Sequence, residues 1–363
     1  MTEMQKYQRC MVMAGGGFRY GIYLGMYAAA NEVGQRPDLV LATCGASIPA
    51  ALIHSVPDDA GRRAWLASPD MYAFWRSFQS VAPLHRTLWR VARRALQMAP
   101  APTVPDLFQD YLFDPPAALP AFPVPAQKGP TDVAIVGSRL LFGPGDVGEP
   151  RGQRKLLEET VFCSPRAAQL LHGAPSPFAD ARWGNTAVAP TVSTDSTMPL
   201  VDAVRISVSD MYYFPAYRFG ATHYMGGVVD LFPIELAQRL AQEITMEFKQ
   251  EFEPLTSAPA VRSVLGLDAN RRLRHVHAQS ASAWIDTSDI TKALPTQTLH
   301  KTLAWRSNRI RLRAPASHAE FAQHMQDQWD YGYQRAMEAF TRRPRGAQTG
   351  MRNSNRYNQG RTA

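Results

Sequence analysis

The chain has 363 residues, 45% of them hydrophobic, which suffices for the core of one large domain and is too apolar for a disordered chain. Lys and Arg number 39 against 31 Asp and Glu, a net charge of +8, but six arginines (Arg342, Arg343, Arg345, Arg352, Arg356, Arg361) fall in the last 23 residues, which hold no acid. The rest is nearly balanced, so a protein that coats nucleic acid with its whole surface is excluded, and nucleic acid is an unlikely partner.

Three cysteines, Cys10, Cys44 and Cys163, are too few for a disulfide framework and suit a reduced compartment. No run reaches the roughly 18 apolar residues of a membrane span. The opening MTEMQKYQRC lacks the apolar stretch of a secretory signal. A cytoplasmic protein, with peripheral membrane contact left open, is the expectation.

In chain order, Cys10–Ala14 reads as a buried strand, Gly15-Gly16-Gly17 as a tight loop, and Tyr20 to Glu32 as a helix closed at Gly34. Leu39–Cys44 repeats the strand, Gly45-Ala46-Ser47 the turn, and Pro49 to Val56 the helix. Strand, turn and helix twice over open a parallel α/β sheet. Residues 71–105 contain no acid and carry Arg76, Arg86, Arg90, Arg93 and Arg94, with Leu84, Leu88, Val91 and Ala95 on one helical face. Prolines then crowd the stretch from Pro100 to Pro130, which reads as a loop or lid. Asp132–Phe142 and Val201–Val208 read as strands, Glu235–Phe252 as a helix and 281–287 as a late strand. Ser317-His318-Ala319-Glu320 is a capping box for a last helix. One domain over 1–342 and a basic tail over 343–363, of a composition that builds no core, complete the division.

Acyl transfer needs a nucleophile, a base and donors for the oxyanion. Gly45-Ala46-Ser47, at a sharp strand-to-helix turn, offers Ser47 as the nucleophile. The neighbouring Gly15-Gly16-Gly17 offers amides free of side chains. Cys44 reads as a small buried residue beside the turn. His275 and His277 lack the companion ligands of a metal site, and neither metal nor cofactor is expected.

With Tyr224-Met225-Gly226-Gly227-Val228-Val229-Asp230, these segments resemble the patatin-like lipid acyl hydrolases. That family has a Gly-Gly-Gly-x-Arg/Lys-Gly loop, a Gly-x-Ser-x-Gly elbow and an Asp-Gly-Gly or Asp-Gly-Ala motif. The resemblance runs from about Tyr7 to Phe340. It implies a three-layer α/β/α fold with a mainly parallel central sheet, an acyl-lipid substrate of the phospholipase A or lysophospholipase kind, and a Ser–Asp dyad in place of a triad. It places Ser47 as nucleophile, Gly15, Gly16 and Gly17 as the oxyanion loop, and Arg19 as the loop's basic residue, in contact with an anion or bracing the loop. Tyr20 and Pro49 stand where the patterns have glycine. Met225 stands at the dyad aspartate, and a thioether accepts no proton. An impaired enzyme follows, with His223 (two residues earlier on an extended segment) or Asp230 as replacement bases. An inactive protein that binds lipid or a partner, and an acyltransferase on the same scaffold, stay as alternatives. Arg76, Arg86, Arg90, Arg93, Arg94 and the tail suit an anionic membrane surface.

Overall fold

The computed structural model describes residues 5–96, 99–114, 119–123, 129–252, 257–297, 301–304, 308–342 and 348–349. Of the tail expected over 343–363, only Gln348–Thr349 lies within them, paired antiparallel with Ser280–Ala281; the rest of that expectation lies outside the described residues.

The first strand, β1 (Tyr7–Met13), leads through the glycine loop into α1 (Tyr20–Glu32), and β2 (Leu39–Thr43) leads into α2 (Ser47–Ser55). After a helical region that includes α3 (Leu84–Leu96) come β3 (Asp132–Leu140), β4 (Leu157–Phe162), β5 (Ser193–Asp195) and α4 (Leu200–Val208). The hairpin of β6 (Tyr217–Phe219) and β7 (Thr222–Met225) precedes α5 (Ile234–Leu240), β8 (Ala241–Phe248) and β9 (Ala283–Asp286). A second hairpin, β10 (Lys301–Ala304) and β11 (Arg309–Leu312), precedes the long α6 (His318–Thr341).

The main sheet runs β9-β8-β1-β2-β3-β4-β5. Pairings are parallel except β3 with β4, and β7, which lies antiparallel on β3 through Ser138 and Met225. The strand period of two sorts side chains to opposite faces. Cys10, Val12, Leu39, Leu41, Ala134 and Val136 enter one core with α5. Met11, Met13, Val40, Ala42 and Ile135 enter another with α1, α2, α4 and α6. Helices thus cover both faces, the layering a parallel sheet requires. Glycines let α1 and α6 meet closely: a Cβ on Gly25 would lie 2.1 Å from the Trp329 carbonyl oxygen.

Three segments differ from the sequence reading. Residues 201–208 are helical, because Ala203, Val204, Ile206 and Ser207 form the buried stripe while Asp202 bonds the Tyr217 hydroxyl at 2.6 Å outside it. The helix expected over 235–252 ends at Leu240, and 241–248 becomes a strand between β1 and β9. Gln, Glu and Met have good helix propensity, but sheet pairing and burial override it here. The arginine-rich segment is also two helices, Pro69–Arg76 and Leu84–Leu96, and Leu88 is exposed instead of lying on the buried face. No helix among the described residues is long and apolar enough to cross a membrane.

Candidate active site

The strand β2 ends in a turn whose strained residue is Cys44. Its φ is +53°, whereas Ser47 has an ordinary helical φ of −64°. A non-glycine residue with positive φ persists only when its surroundings hold it there. The Cys44 amide donates to Ser207 Oγ at 2.8 Å, and that hydroxyl donates to the Val136 carbonyl at 2.7 Å. From below, Ser47 Oγ donates to the Cys44 carbonyl at 2.7 Å. Ser47 is fully buried and absent from the cleft wall, whereas Cys44 lines it. The left-handed residue thus lies three positions before the Ser47 that the sequence offers as nucleophile. Centred on Cys44, the family's Gly-x-Ser-x-Gly pattern falls on Ala42-Thr43-Cys44-Gly45-Ala46, with alanine for both glycines and a thiol for the hydroxyl.

Facing the thiol is Asp210, in the turn after α4. The Cys44 Sγ donates to Asp210 Oδ2 at 3.0 Å. Burial pushes the carboxyl up to about 7, against the opposing pull of the thiol and the Val228 amide. Burial, then the nearby carboxylate, raises the thiol as well, while the Gly45 and Gly17 amides pull the other way. A thiolate is therefore not preformed; the proton rests on sulfur beside a carboxylate made more basic by its surroundings. The other oxygen, Asp210 Oδ1, has no hydrogen-bond partner among the described residues. Sequence reasoning missed both residues. The signal for Cys44 was its place as the first residue after a buried strand; nothing local marks Asp210, whose role comes from a contact across 166 positions.

The loop Gly15-Gly16-Gly17 lines the cleft beside this pair. Its first amide donates to the Leu231 carbonyl at 3.3 Å. Gly17 has a φ of +61°, and its carbonyl crosses so near Gly45 that a Cβ there would lie 2.0 Å from the oxygen. The Gly17 and Gly45 amides are near enough to the sulfur to favour its ionised form. An amide of the residue after the nucleophile plus one from a neighbouring loop is the arrangement of an oxyanion hole. Beneath the loop sits Lys249, a residue the sequence did not single out. Its ammonium donates to the Ala14 and Gly15 carbonyls and to the Tyr23 hydroxyl (2.8 Å), and pairs with Glu247 at 3.1 Å. These bonds hold the Ala14 and Gly15 carbonyls on the side of Lys249.

The cleft holds about 480 Å³, within the range of small-molecule sites. Its walls are largely apolar, with Phe18, Ile48, Phe74, Phe78, Phe214 and Leu231 among them, and Arg19 stands beside the glycine loop.

Met225, His223 and Asp230 do not line the cleft. Met225 is fully buried in the core, and its carbonyl accepts from Ser138 Oγ at 3.2 Å. His223 is on the outer hairpin, edge-on to Phe108 with ring centres 5.1 Å apart, and does not line the cleft. Asp230 is buried against Arg272, 3.2 Å away. The following Gly226 and Gly227 serve close packing: a Cβ on Gly227 would meet Thr43 Oγ1 at 2.2 Å, and one on Gly226 would meet Asp210 Oδ1 at 2.6 Å. His277 stacks on Phe248 with its pKa pushed down to about 4 by burial, and no metal-holding cluster occurs among the described residues.

The family model for patatin-like phospholipase matches residues 11–237, which include both glycine turns, Asp210 and the Met225-Gly226-Gly227 motif. Among solved structures the chain is similar to VipD from Legionella pneumophila, at 10% identity and a TM-score of 0.37, over 92% of this chain and 67% of that one. No curated protein matches it.

Proposed function

Since the chain belongs to the patatin-like phospholipase family, whose domain supports lipid acyl hydrolysis in general, we propose that it is an acyl-lipid hydrolase whose nucleophile is Cys44 and whose base is Asp210. The observation that carries this reading is the thiol-to-carboxylate hydrogen bond in an apolar cleft that the Gly15-Gly16-Gly17 loop and Gly45 also line.

The chemistry follows from the geometry. Asp210 takes the thiol proton as Cys44 sulfur attacks the ester carbonyl, and the Gly17 and Gly45 amides hydrogen-bond the oxyanion. The intermediate collapses to a thioester on Cys44 as the leaving alcohol takes the proton back from Asp210. Water then attacks the thioester, giving its proton to Asp210. The carboxylic acid leaves, and the thiolate regains that proton. The N-terminal end of the helical segment that starts at Cys44 favours the negative charge at each stage. A thiol suits this site better than a hydroxyl would, because its proton is far more acidic and a carboxyl near 7 is a competent acceptor. Met225 at the family's aspartate position then removes no base, since Asp210 supplies one from another element. The apolar walls fit an acyl chain, and Arg19 suits an anionic head group.

The test is release of fatty acid from phospholipid and lysophospholipid by the wild-type chain, Cys44→Ala and Ser47→Ala. Loss in Cys44→Ala with retention in Ser47→Ala supports the proposal. The reverse pattern returns the role to Ser47, and equal traces in all three support a lipid-binding protein without turnover. Release that appears only when an alcohol or thiol acceptor is added identifies an acyltransferase.

A further inference from the structure

One rim of the cleft is built from two stretches distant in sequence, both free of acids. Residues 71–105 and 290–319 contain no Asp or Glu. The helix α3 comes from the first and the β10–β11 hairpin from the second. They are joined where the Leu84 amide donates to the Asn308 carbonyl at 2.8 Å, and where Leu84, Phe113 and Ile310 form a small core of their own. The inner side of α3 faces the cleft: Thr87, Arg90, Val91 and Arg94 line it, with Asp110 bridging the two arginines. Leu312 of the hairpin lines it too.

The outer side has a different composition. Trp89 is 62% exposed and Leu96 83%, with Leu88 and, on the hairpin, Leu303 also open to solvent. Arg86, Arg93, Arg309, Arg311 and Arg313 are exposed around them. Arg86 and Arg93 have no carboxylate partner among the described residues, and the Arg93 guanidinium lies 5.2 Å from the centre of the Trp89 ring. The Arg309 guanidinium donates to the Ser80 carbonyl; exposed large apolar groups are costly in water, and the exposed arginines around them oppose a second copy of the same basic face. They match a surface with an anionic layer over an apolar one. Tryptophan has the amphipathic ring that settles at such a boundary.

We propose that the outer face of α3 and the β10–β11 hairpin dock the protein on an anionic lipid surface, with the cleft opening at the line of contact. Phosphates meet Arg86, Arg93, Arg309, Arg311 and Arg313, while Trp89, Leu88, Leu96 and Leu303 enter the acyl boundary. The catalytic pair lies behind the inner face of the same helix, so docking and access to substrate share one element.

The experiment is co-sedimentation of the full chain with vesicles of phosphatidylcholine, with or without phosphatidylglycerol, at low and high salt. Binding at least tenfold stronger to the phosphatidylglycerol vesicles, and weakened by salt, is expected. The double variant Arg86→Glu/Arg93→Glu should lose that preference. Trp89→Ala should weaken binding while keeping the salt dependence. Both changes are on the surface, and circular dichroism checks that they leave the fold in place. Hydrolysis of a soluble short-chain ester should match wild type, because none of these side chains lines the cleft. Absence of vesicle binding would overturn the proposal. So would binding indifferent to lipid charge, or binding that survives both variants, which would assign the attachment to the basic tail. Self-association abolished by Trp89→Ala, without vesicle binding, would make the face a contact between copies.

Discussion

Cys44 and Asp210 stand 166 positions apart and meet through one hydrogen bond of 3.0 Å, from the thiol to a carboxylate oxygen. The left-handed turn at Cys44 aims the sulfur out of the sheet, and the turn after α4 brings the carboxylate to it. The Cys44 turn is tied to β3 through Ser207 of α4, whose hydroxyl accepts from the Cys44 amide and donates to the Val136 carbonyl, and Asp210 follows two residues after that helix ends at Val208.

Cys44→Ala should abolish turnover and labelling by thiol-directed acyl probes. Cys44→Ser keeps the geometry but supplies a weaker proton donor, so reduced hydrolysis is expected. Ser47→Ala should keep turnover and lose about 1 kcal/mol of stability, because the Cys44 carbonyl loses its buried donor. Steady-state rates and chemical denaturation measure the two effects separately.

Asp210→Asn removes the base and should lower kcat by about 10²–10⁴. The wild-type rate should rise with pH through about 7, as Asp210 loses its proton, and the variant should lack that limb. Stability runs the other way. The folded-state pKa lies above the unfolded one, so ionisation costs stability that is intact below the unfolded pKa near 4 and lost as pH rises to 7. Above pH 7, Asp210→Asn should therefore melt at a higher temperature than wild type; a lower one would contradict the raised pKa.

Gly45→Ala places a methyl group 2.0 Å from the Gly17 carbonyl oxygen, which forces the oxyanion loop away. Loss of activity with the fold retained is expected, and circular dichroism beside the rate assay checks it. Gly227→Ala, 2.2 Å from Thr43 Oγ1 and against the Cys44 amide, should disturb the elbow from the other side.

Arg272 bridges Asp230 and Glu235 in the core at 3.2 and 2.5 Å, with buried Glu159 close enough for Asp230 to raise its pKa further. Arg272→Met leaves carboxylates buried without their cation, and should cost about 3–5 kcal/mol in urea unfolding. Because Leu231, next to Asp230, accepts the Gly15 amide, activity should fall below what the unfolded fraction explains.

Lys249→Met removes the donor that holds the Ala14 and Gly15 carbonyls beneath the loop. A lower kcat with little change in KM is the expected result for a residue that positions oxyanion donors. A rise in KM alone would assign Lys249 to substrate binding.

Local pattern in the sequence was enough for much of this. The buried runs at β1 and β2, the glycines after each and the Tyr20–Glu32 helix are contiguous signals, and they carried the α/β class, the family and both turns. Segments whose fate depends on neighbours were not legible. Residues 241–248 are a strand because β1 and β9 flank them, and 201–208 a helix because one stripe packs on the sheet. The site divides in the same way. Sequence by itself determined that two glycine-bearing turns follow β1 and β2 in a chain of the patatin-like family. Which residue takes the left-handed position, and which carboxylate meets it, was decided only by tertiary structure. Strain at φ +53° is held by a serine from α4, and a carboxyl is raised to about 7 by burial it acquires only when the chain closes around it.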